Sequence, residues 1–291
     1  MLKDFLSPKT ERPVIVTDVD GILVKWQSGL PYFAQKYNLP LDHILEMMVD
    51  EKFIAPSKLF NCSEEFATKL LLKYNNSDFI RYLSAYEDAL KVVNELKKTH
   101  DFVAVTALGN SVDAHLNRQF NLSALFPDAF KDIFVCDYNE SKDSLLTQVM
   151  EKYGNRVICY IDDLGKHTDS AVAVFRQYNS KAKVFYMPRG ERDYLPTELC
   201  ETVKDWHQVK DTMMTEAAKD HDAYIQRLYD LLKEVETKSI NPWKSPGFGD
   251  EFRRPETWWD YHQPKFPSVG TGIEYLKYQP TAMTNFKLSN I

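Results

Sequence analysis

Between residues 86 and 186 short apolar runs alternate with amphipathic stretches, and this alternation limits the architecture more than any other feature of the chain. Residues 86–98 carry Ala89, Val93 and Leu96 on one side at helical spacing and predict a helix. Residues 102–106 then predict a strand, 111–120 a helix, 133–136 a strand, 142–153 a helix, 157–161 a strand, 168–178 a helix and 183–186 a last clear strand. An earlier β-branched run, Val14-Ile15-Val16, adds a strand at the front, and 201–206 reads as a short edge strand. Strands separated by helices of this length form parallel βαβ units with right-handed crossovers. The expected body is therefore α/β, a doubly wound parallel sheet of Rossmann-like type.

Three stretches do not follow the alternation. Residues 28–84 show helical periodicity and no good strand, which predicts a small helical cap inserted after the first strand. Leu39-Pro40-Leu41-Asp42 reads there as a break with Asp42 as a helix cap, and Ser63 before Glu64 and Glu65 as another. Residues 215–238 read as one helix with Tyr224, Leu228, Leu231 and Leu232 recurring at three-to-four-residue steps. From 239 to 291 the chain is an irregular C-terminal extension rich in proline and aromatics, among them Trp243, Trp258, Trp259 and Tyr261, residues suited to lying against a surface. The expected domains are thus a core of 1–27 with 85–214, the cap, the helix and the extension.

The 291 residues suffice for a sizeable core, and 44% apolar with 27% charged residues is ordinary for a globular protein. A net charge of −6 argues against a protein whose task is coating nucleic acid. The four cysteines, Cys62, Cys136, Cys159 and Cys200, show no C-x-x-C spacing, and two lie in or beside apolar runs, which suits a reducing, cytoplasmic setting. No run of about 18 apolar residues suggests a membrane span.

Four places bring polar chemistry to the carboxyl ends of predicted strands, where ligands bind in open α/β sheets. The first strand runs into Asp18 and Asp20, with Gly21 permitting a tight turn. Side chains two apart on extended backbone share a side. One carboxylate can attack while the other handles the proton, and both can approach a hard cation. The second strand ends in Thr106, whose hydroxyl, with the amides from Ala107 toward Gly109 and Asn110, suits phosphate oxygens. Lys142 opens a helix and can hold anionic oxygens. The run 157–161 leads into Asp162-Asp163, adjacent acids that repel unless a cation lies between them and Asp18.

In this order, D-x-D-G at 18–21, Thr106, Lys142 and Asp162-Asp163, the four motifs resemble those of the haloacid dehalogenase-like superfamily over residues 13–206. A closer likeness is to the 5′(3′)-deoxyribonucleotidases, which carry a small helical cap; SDFIRYLSAYEDAL (77–90) and KDSLLTQVMEKYG (142–154) resemble their cap exit and lysine helix. The segment at Ala107-Leu108-Gly109 departs from that family, and residues 215–291 have no counterpart in it. The resemblance implies a Mg²⁺-dependent phosphomonoesterase, a hydrolase of the 5′-nucleotidase type. Asp18 would be the nucleophile, forming an aspartyl-phosphate, and Asp20 the general acid/base. Thr106 and Lys142 would hold the phosphoryl oxygens, with Ala107 beside them, and Mg²⁺ would be bound by Asp18, the carbonyl of Asp20, and Asp162 or Asp163.

The implied substrate is a small phosphorylated molecule, a nucleoside or deoxynucleoside monophosphate. Trp26, Phe33, Tyr37 and Phe53 are candidates to stack a base, although aromatics at helical spacing also build cores. His43, His115 and His167 are single histidines, of which His167 is nearest the acidic pair. Sugar phosphates and polynucleotide ends are the alternatives, the latter requiring a basic track to which Arg118, Arg176, Lys181, Lys183, Arg189 and Arg192 would contribute. A third alternative, of another class, is an interaction or assembly protein whose aromatic extension binds a partner or a second copy.

Overall fold

The computed structural model describes residues 11–238 apart from 52, 53 and 193. Six strands form one wholly parallel sheet: β1 (Val14–Thr17), β2 (Asp101–Ala107), β3 (Phe130–Cys136), β4 (Val157–Asp162), β5 (Lys183–Tyr186) and β6 (Glu201–Thr202), in the spatial order β3-β2-β1-β4-β5-β6. The α/β doubly wound sheet expected from the alternation is the observed one. β1 lies between β2 and β4, with Val16 level with Val103 on one side and Tyr160 on the other. Its residues are buried throughout, as an inner parallel strand covered on both faces requires, whereas edge strand β6 is exposed. The winding reverses between β1 and β4, so the crevice of such a sheet opens at the carboxyl ends of those two strands.

Between β1 and β2 come α1 (Leu30–Tyr37), α2 (Asp42–Asp50), α3 (Pro56–Leu59), α4 (Glu64–Asn75) and α5 (Glu87–Leu96). The inserted helices have an aromatic core of their own: Phe33 meets Tyr74 at 5.2 Å, Phe79 at 6.1 Å and Phe60 at 6.3 Å between ring centroids. Asp42 is the first helical residue of α2 rather than its cap, which is Leu41, and Ser63 precedes α4 without a side-chain capping bond. Past β2 follow α6 (Val112–Leu125), α7 (Asp143–Tyr153), α8 (Gly165–Gln177) and α9 (Trp206–Lys238). α9 starts nine residues before the expected helix. The amide of Gln208 donates to Asp205 Oδ1 at 2.9 Å and the Gln208 side chain accepts from the Lys204 amide at 3.0 Å, a reciprocal cap that the periodicity of 215–238 does not reveal.

The first compact unit ends at Thr212 and includes the inserted helices. Within it Trp206 is fully buried, its ring 6.2 Å from Phe102 and its indole N–H donating to the Ile22 carbonyl. In the second unit, from Met213, Tyr224, Leu228 and Leu231 are exposed and Tyr229 is buried. The expected extension at 239–291, with Trp243, Trp258, Trp259 and Tyr261, lies outside the described residues, as does Phe53. Among the described residues no helix is long and apolar enough to cross a membrane.

Candidate active site

The amide of Asp18 continues the ladder from β1 by donating to the Ile161 carbonyl of β4 at 2.8 Å, which sets its carboxylate over the β1–β4 boundary. The chain then turns sharply: the amides of Leu23 and Val24 both return to the Val19 carbonyl, at 2.8 and 3.0 Å. Gly21 has φ +79°, and a Cβ there would stand 2.6 Å from Asp163 Oδ2. Conformation and packing both require glycine at this turn.

β4 delivers Asp162 as its last residue and Asp163 next, both buried. Asp162 is held by the Leu164 amide at 2.8 Å and the Tyr160 hydroxyl at 2.5 Å. Lys142, 1% exposed at the start of α7, puts its Nζ 2.8 Å from Asp18 Oδ1 and 2.7 Å from Asp162 Oδ2. Asp163 accepts from Arg192 Nη2 at 2.6 Å, and the other terminal nitrogen of Arg192 donates to the Glu51 carbonyl at the end of α2. The carboxylates of Asp18, Asp162 and Asp163 offer oxygens within 4.8 Å of one another.

Burial pushes the Asp18 carboxyl well above the usual carboxylate range; Asp162, Asp163 and Asp20 add to this and Lys142 opposes it. Burial likewise raises Asp163, with Asp162 adding and Arg192 opposing. Burial acts upward on Asp162 too, but Lys142 with His167 outweighs it and holds that carboxyl below its ordinary value. Lys142 is held above the ordinary ammonium range because Asp162 and Asp18 overcome its burial. Three buried carboxylates face one another, contacted among the described residues by the cations Lys142 and Arg192; such oxygen donors could hold a hard divalent ion, and Mg²⁺ fits. The Asp20 carboxylate is not in this cluster; its Oδ2 accepts from Arg118 Nη2 of α6 at 2.5 Å.

Thr106 is fully buried, and its hydroxyl has no hydrogen-bond partner among the described residues. Ala107 ends β2 half-buried beside it, while the amides of Leu108 and Gly109 are engaged with the Cys136 carbonyl at 3.1 Å, so Gly109 is not an open phosphate donor. His167 Nδ1 stands 3.4 Å from Asp162 Oδ2 without forming a hydrogen bond. His115 is exposed, and His43 pairs with Glu46 on α2.

Among the proposed stacking residues Phe33 belongs to the buried aromatic core. Trp26 donates to Asn75 Oδ1 at 3.0 Å and meets Tyr74 edge-on, and Tyr37 lies under the Lys73 ammonium. The basic track does not form. Arg118 is fully buried, Arg189 pairs with Asp88 at 2.8 Å and Arg192 with Asp163, while Arg176, Lys181 and Lys183 sit where α8 ends and β5 begins, at the opposite end of the sheet. Sequence reasoning missed the Arg192 contact altogether and misread Arg118. One signal for the latter was present: α6 exposes Val112, Leu116 and Phe120 while it buries Asn117, Arg118 and Asn121, the reverse of ordinary amphipathicity.

The fold and site define an α/β protein with a buried acid cluster and a buried lysine at the switch point of a parallel sheet. The chain is 47% identical over 285 residues to an uncharacterized 32.4 kDa protein of the Gp30–rIII intergenic region of Enterobacteria phage T4, spanning 94% of this chain and 98% of that one, and it belongs to that protein's family. No protein-family model matches. Similar solved structures are haloacid dehalogenase-like proteins. SP0104 from Streptococcus pneumoniae has TM-score 0.48 and 15% identity over 69% of this chain and 98% of its own. YfnB from Bacillus subtilis, bound to magnesium, has TM-score 0.47 and 16% identity over 70% and 99%. The L-2-haloacid dehalogenase PA0810 has TM-score 0.45 and 13% identity over 70% and 100%.

Proposed function

We propose that the chain is a Mg²⁺-dependent phosphomonoesterase of the haloacid dehalogenase-like superfamily, acting in the cytoplasm on nucleoside or deoxynucleoside monophosphates. The observation that carries the reading is the buried constellation of Asp18, Lys142, Asp162 and Asp163 at the β1–β4 switch point, with a second acid, Asp20, two residues after the first. The nucleotide preference rests on the likeness of residues 77–90 and 142–154 to the deoxyribonucleotidases, with 28–84 as the cap that selects the substrate.

Asp18 attacks phosphorus, an O–P bond forms to its carboxylate, and the ester O–P bond breaks as Asp20 passes a proton to the leaving oxygen. Asp20 then takes a proton from water as that water attacks the aspartyl-phosphate, releasing inorganic phosphate and restoring both acids. Lys142 keeps Asp18 and Asp162 in place and neutralises charge beside the phosphoryl group, and the unpartnered Thr106 hydroxyl donates to a phosphoryl oxygen. Mg²⁺ held by Asp18, Asp162 and Asp163 would supply countercharge to the nucleophile and the phosphate. An acid at Asp20 is what hydrolysis of an acyl phosphate needs, and this favours phosphatase over dehalogenase chemistry.

The test is phosphate release from nucleoside and deoxynucleoside monophosphates, sugar phosphates and end-phosphorylated oligonucleotides, with Mg²⁺ or EDTA. Turnover is expected with Mg²⁺ on a mononucleotide and is lost by at least about 10³-fold in Asp18→Asn. Silence of the wild type across the panel, or an unaffected Asp18→Asn, overturns the reading.

A further inference from the structure

Arg118 is the largest charged side chain in the fully buried set, and α6 places it there at the expense of three exposed apolar residues. Burying a guanidinium is costly, and a buried ion pair is weak evidence for stability. Arg118 has one carboxylate partner, Asp20 Oδ2, while its Nε and Nη1 and the Asp20 Oδ1 find no hydrogen-bond partner among the described residues. A helix selected for packing would place an aliphatic residue at 118.

The neighbours of Arg118 on the same buried face fix the helix against the chain leaving the inserted helices. Asn117 Nδ2 donates to the Ser77 carbonyl at 3.0 Å and its Oδ1 accepts from Arg81 Nε at 2.5 Å. Asn121 Nδ2 donates to the carbonyls of Arg81 and Leu83 at 3.2 and 3.0 Å. The guanidinium therefore projects, fully buried, from an anchored stretch of helix onto one oxygen of Asp20.

From this we infer that Arg118 is a positioning residue for the acid/base step: it pins Asp20 Oδ2, so that the proton travels through Oδ1. The inference rests on the phosphatase reading and adds to it a residue that touches neither phosphate nor metal. Losing it frees the Asp20 carboxyl to rotate, which harms both steps in which Asp20 moves a proton, delivery to the leaving oxygen and removal from the attacking water; single-turnover release of the leaving group isolates the first of these.

The experiment follows single-turnover release of the leaving group from p-nitrophenyl phosphate, whose phenolate departs without a proton, and from a nucleoside monophosphate, whose alkoxide does not. Arg118→Met is expected to slow nucleoside release about 10–100-fold with little change in KM, and p-nitrophenol release less than about threefold. Asp20→Asn should show the same selectivity, and adding Arg118→Met to it should cost nothing more. Arg118→Lys, which keeps the charge and the fold but not the fork, should lose about 3–10-fold on the nucleotide alone and serves where the Met variant does not fold. Equal losses on both esters, additivity with Asp20→Asn, or a Lys variant indistinguishable from wild type overturns the inference. A wild type that releases neither leaving group, or an Asp18→Asn as fast as wild type, instead marks failure of the phosphatase reading itself.

Discussion

Lys142→Met tests the electrostatics of the site without reference to any substrate. The Met side chain keeps much of the aliphatic stem and removes the one ammonium that lies 2.8 Å from Asp18 and 2.7 Å from Asp162. At an effective dielectric constant of about 20 each contact represents roughly 6 kcal/mol of gross attraction, most of it offset by the cost of burying the charges. Removing one partner from a buried pair costs about 3–5 kcal/mol, and an ammonium serving two carboxylates belongs at the upper end. The melting temperature should fall by about 6–20 °C for a unit of this size.

The pH dependence of that deficit follows from Asp18. Lys142 is the influence that opposes burial there, so without it the folded-state carboxyl titrates higher still. A carboxyl whose folded value exceeds its unfolded one destabilises the fold at neutral pH, and the penalty vanishes as pH falls toward the unfolded value of about 4. Unfolding of wild type and variant in EDTA from pH 7 to pH 5 should therefore show the gap narrowing on acidification. A gap below about 1 kcal/mol at pH 7, or one that does not change with pH, refutes the account.

Two further outcomes can be checked on the same material. In wild type both Asp18 and Asp163 are raised, so their contribution to stability in EDTA declines as pH rises from about 4 to 7, read as the difference in pH slope between wild type and Asp163→Asn; saturating Mg²⁺ should flatten that difference and add about 2.7 kcal/mol to wild type at a hundredfold excess over Kd, an effect Asp163→Asn should weaken, and no response of the wild-type melting temperature to Mg²⁺ would count against the metal site. Gly21→Ala combines positive φ with a Cβ 2.6 Å from Asp163 Oδ2, so it should cost about 2–4 kcal/mol in denaturant unfolding and weaken the Mg²⁺ response, whereas a near-neutral change would mean the turn relaxes freely.

The sheet was legible in the sequence because its inner strands are buried on both faces and so stand out as unbroken apolar runs between amphipathic helices. β1, β2, β4 and β5 fall within a residue or so of the stretches that predict them. Less local features were harder. β3 begins three residues before the expected Ile133, because Phe130 pairs with Phe102 across the ladder although its own flank is charged. α9 starts early because Asp205 and Gln208 cap it, a signal of two side chains that the leucine spacing further along outweighs. Gly109 looked available for phosphate because glycine opens a backbone, yet its amide is used by Cys136 across the sheet.

For the candidate site, the acids and Lys142 were readable because each stands at the mouth of a strand or the start of a helix, positions that the alternation itself marks. The arginines were not, because a cation's partner is set by tertiary distance. Arg118 lies 98 positions from Asp20 and reaches it from α6. Arg192 comes from the chain following β5 and touches both Asp163 and the Glu51 carbonyl. Composition and charge count all six basic residues of the supposed track alike. The fold divides them, sending Arg118 and Arg192 onto acids of the site and Arg189 onto Asp88, and leaving three at the opposite end of the sheet. The two arginines on acids of the site share a further property: Arg192 binds the end of α2, and Arg118 sits between Asn117 and Asn121, which hold residues 76–83. Two of the places where the inserted helices are fastened to the core are thus the segments whose arginines hold Asp20 and Asp163.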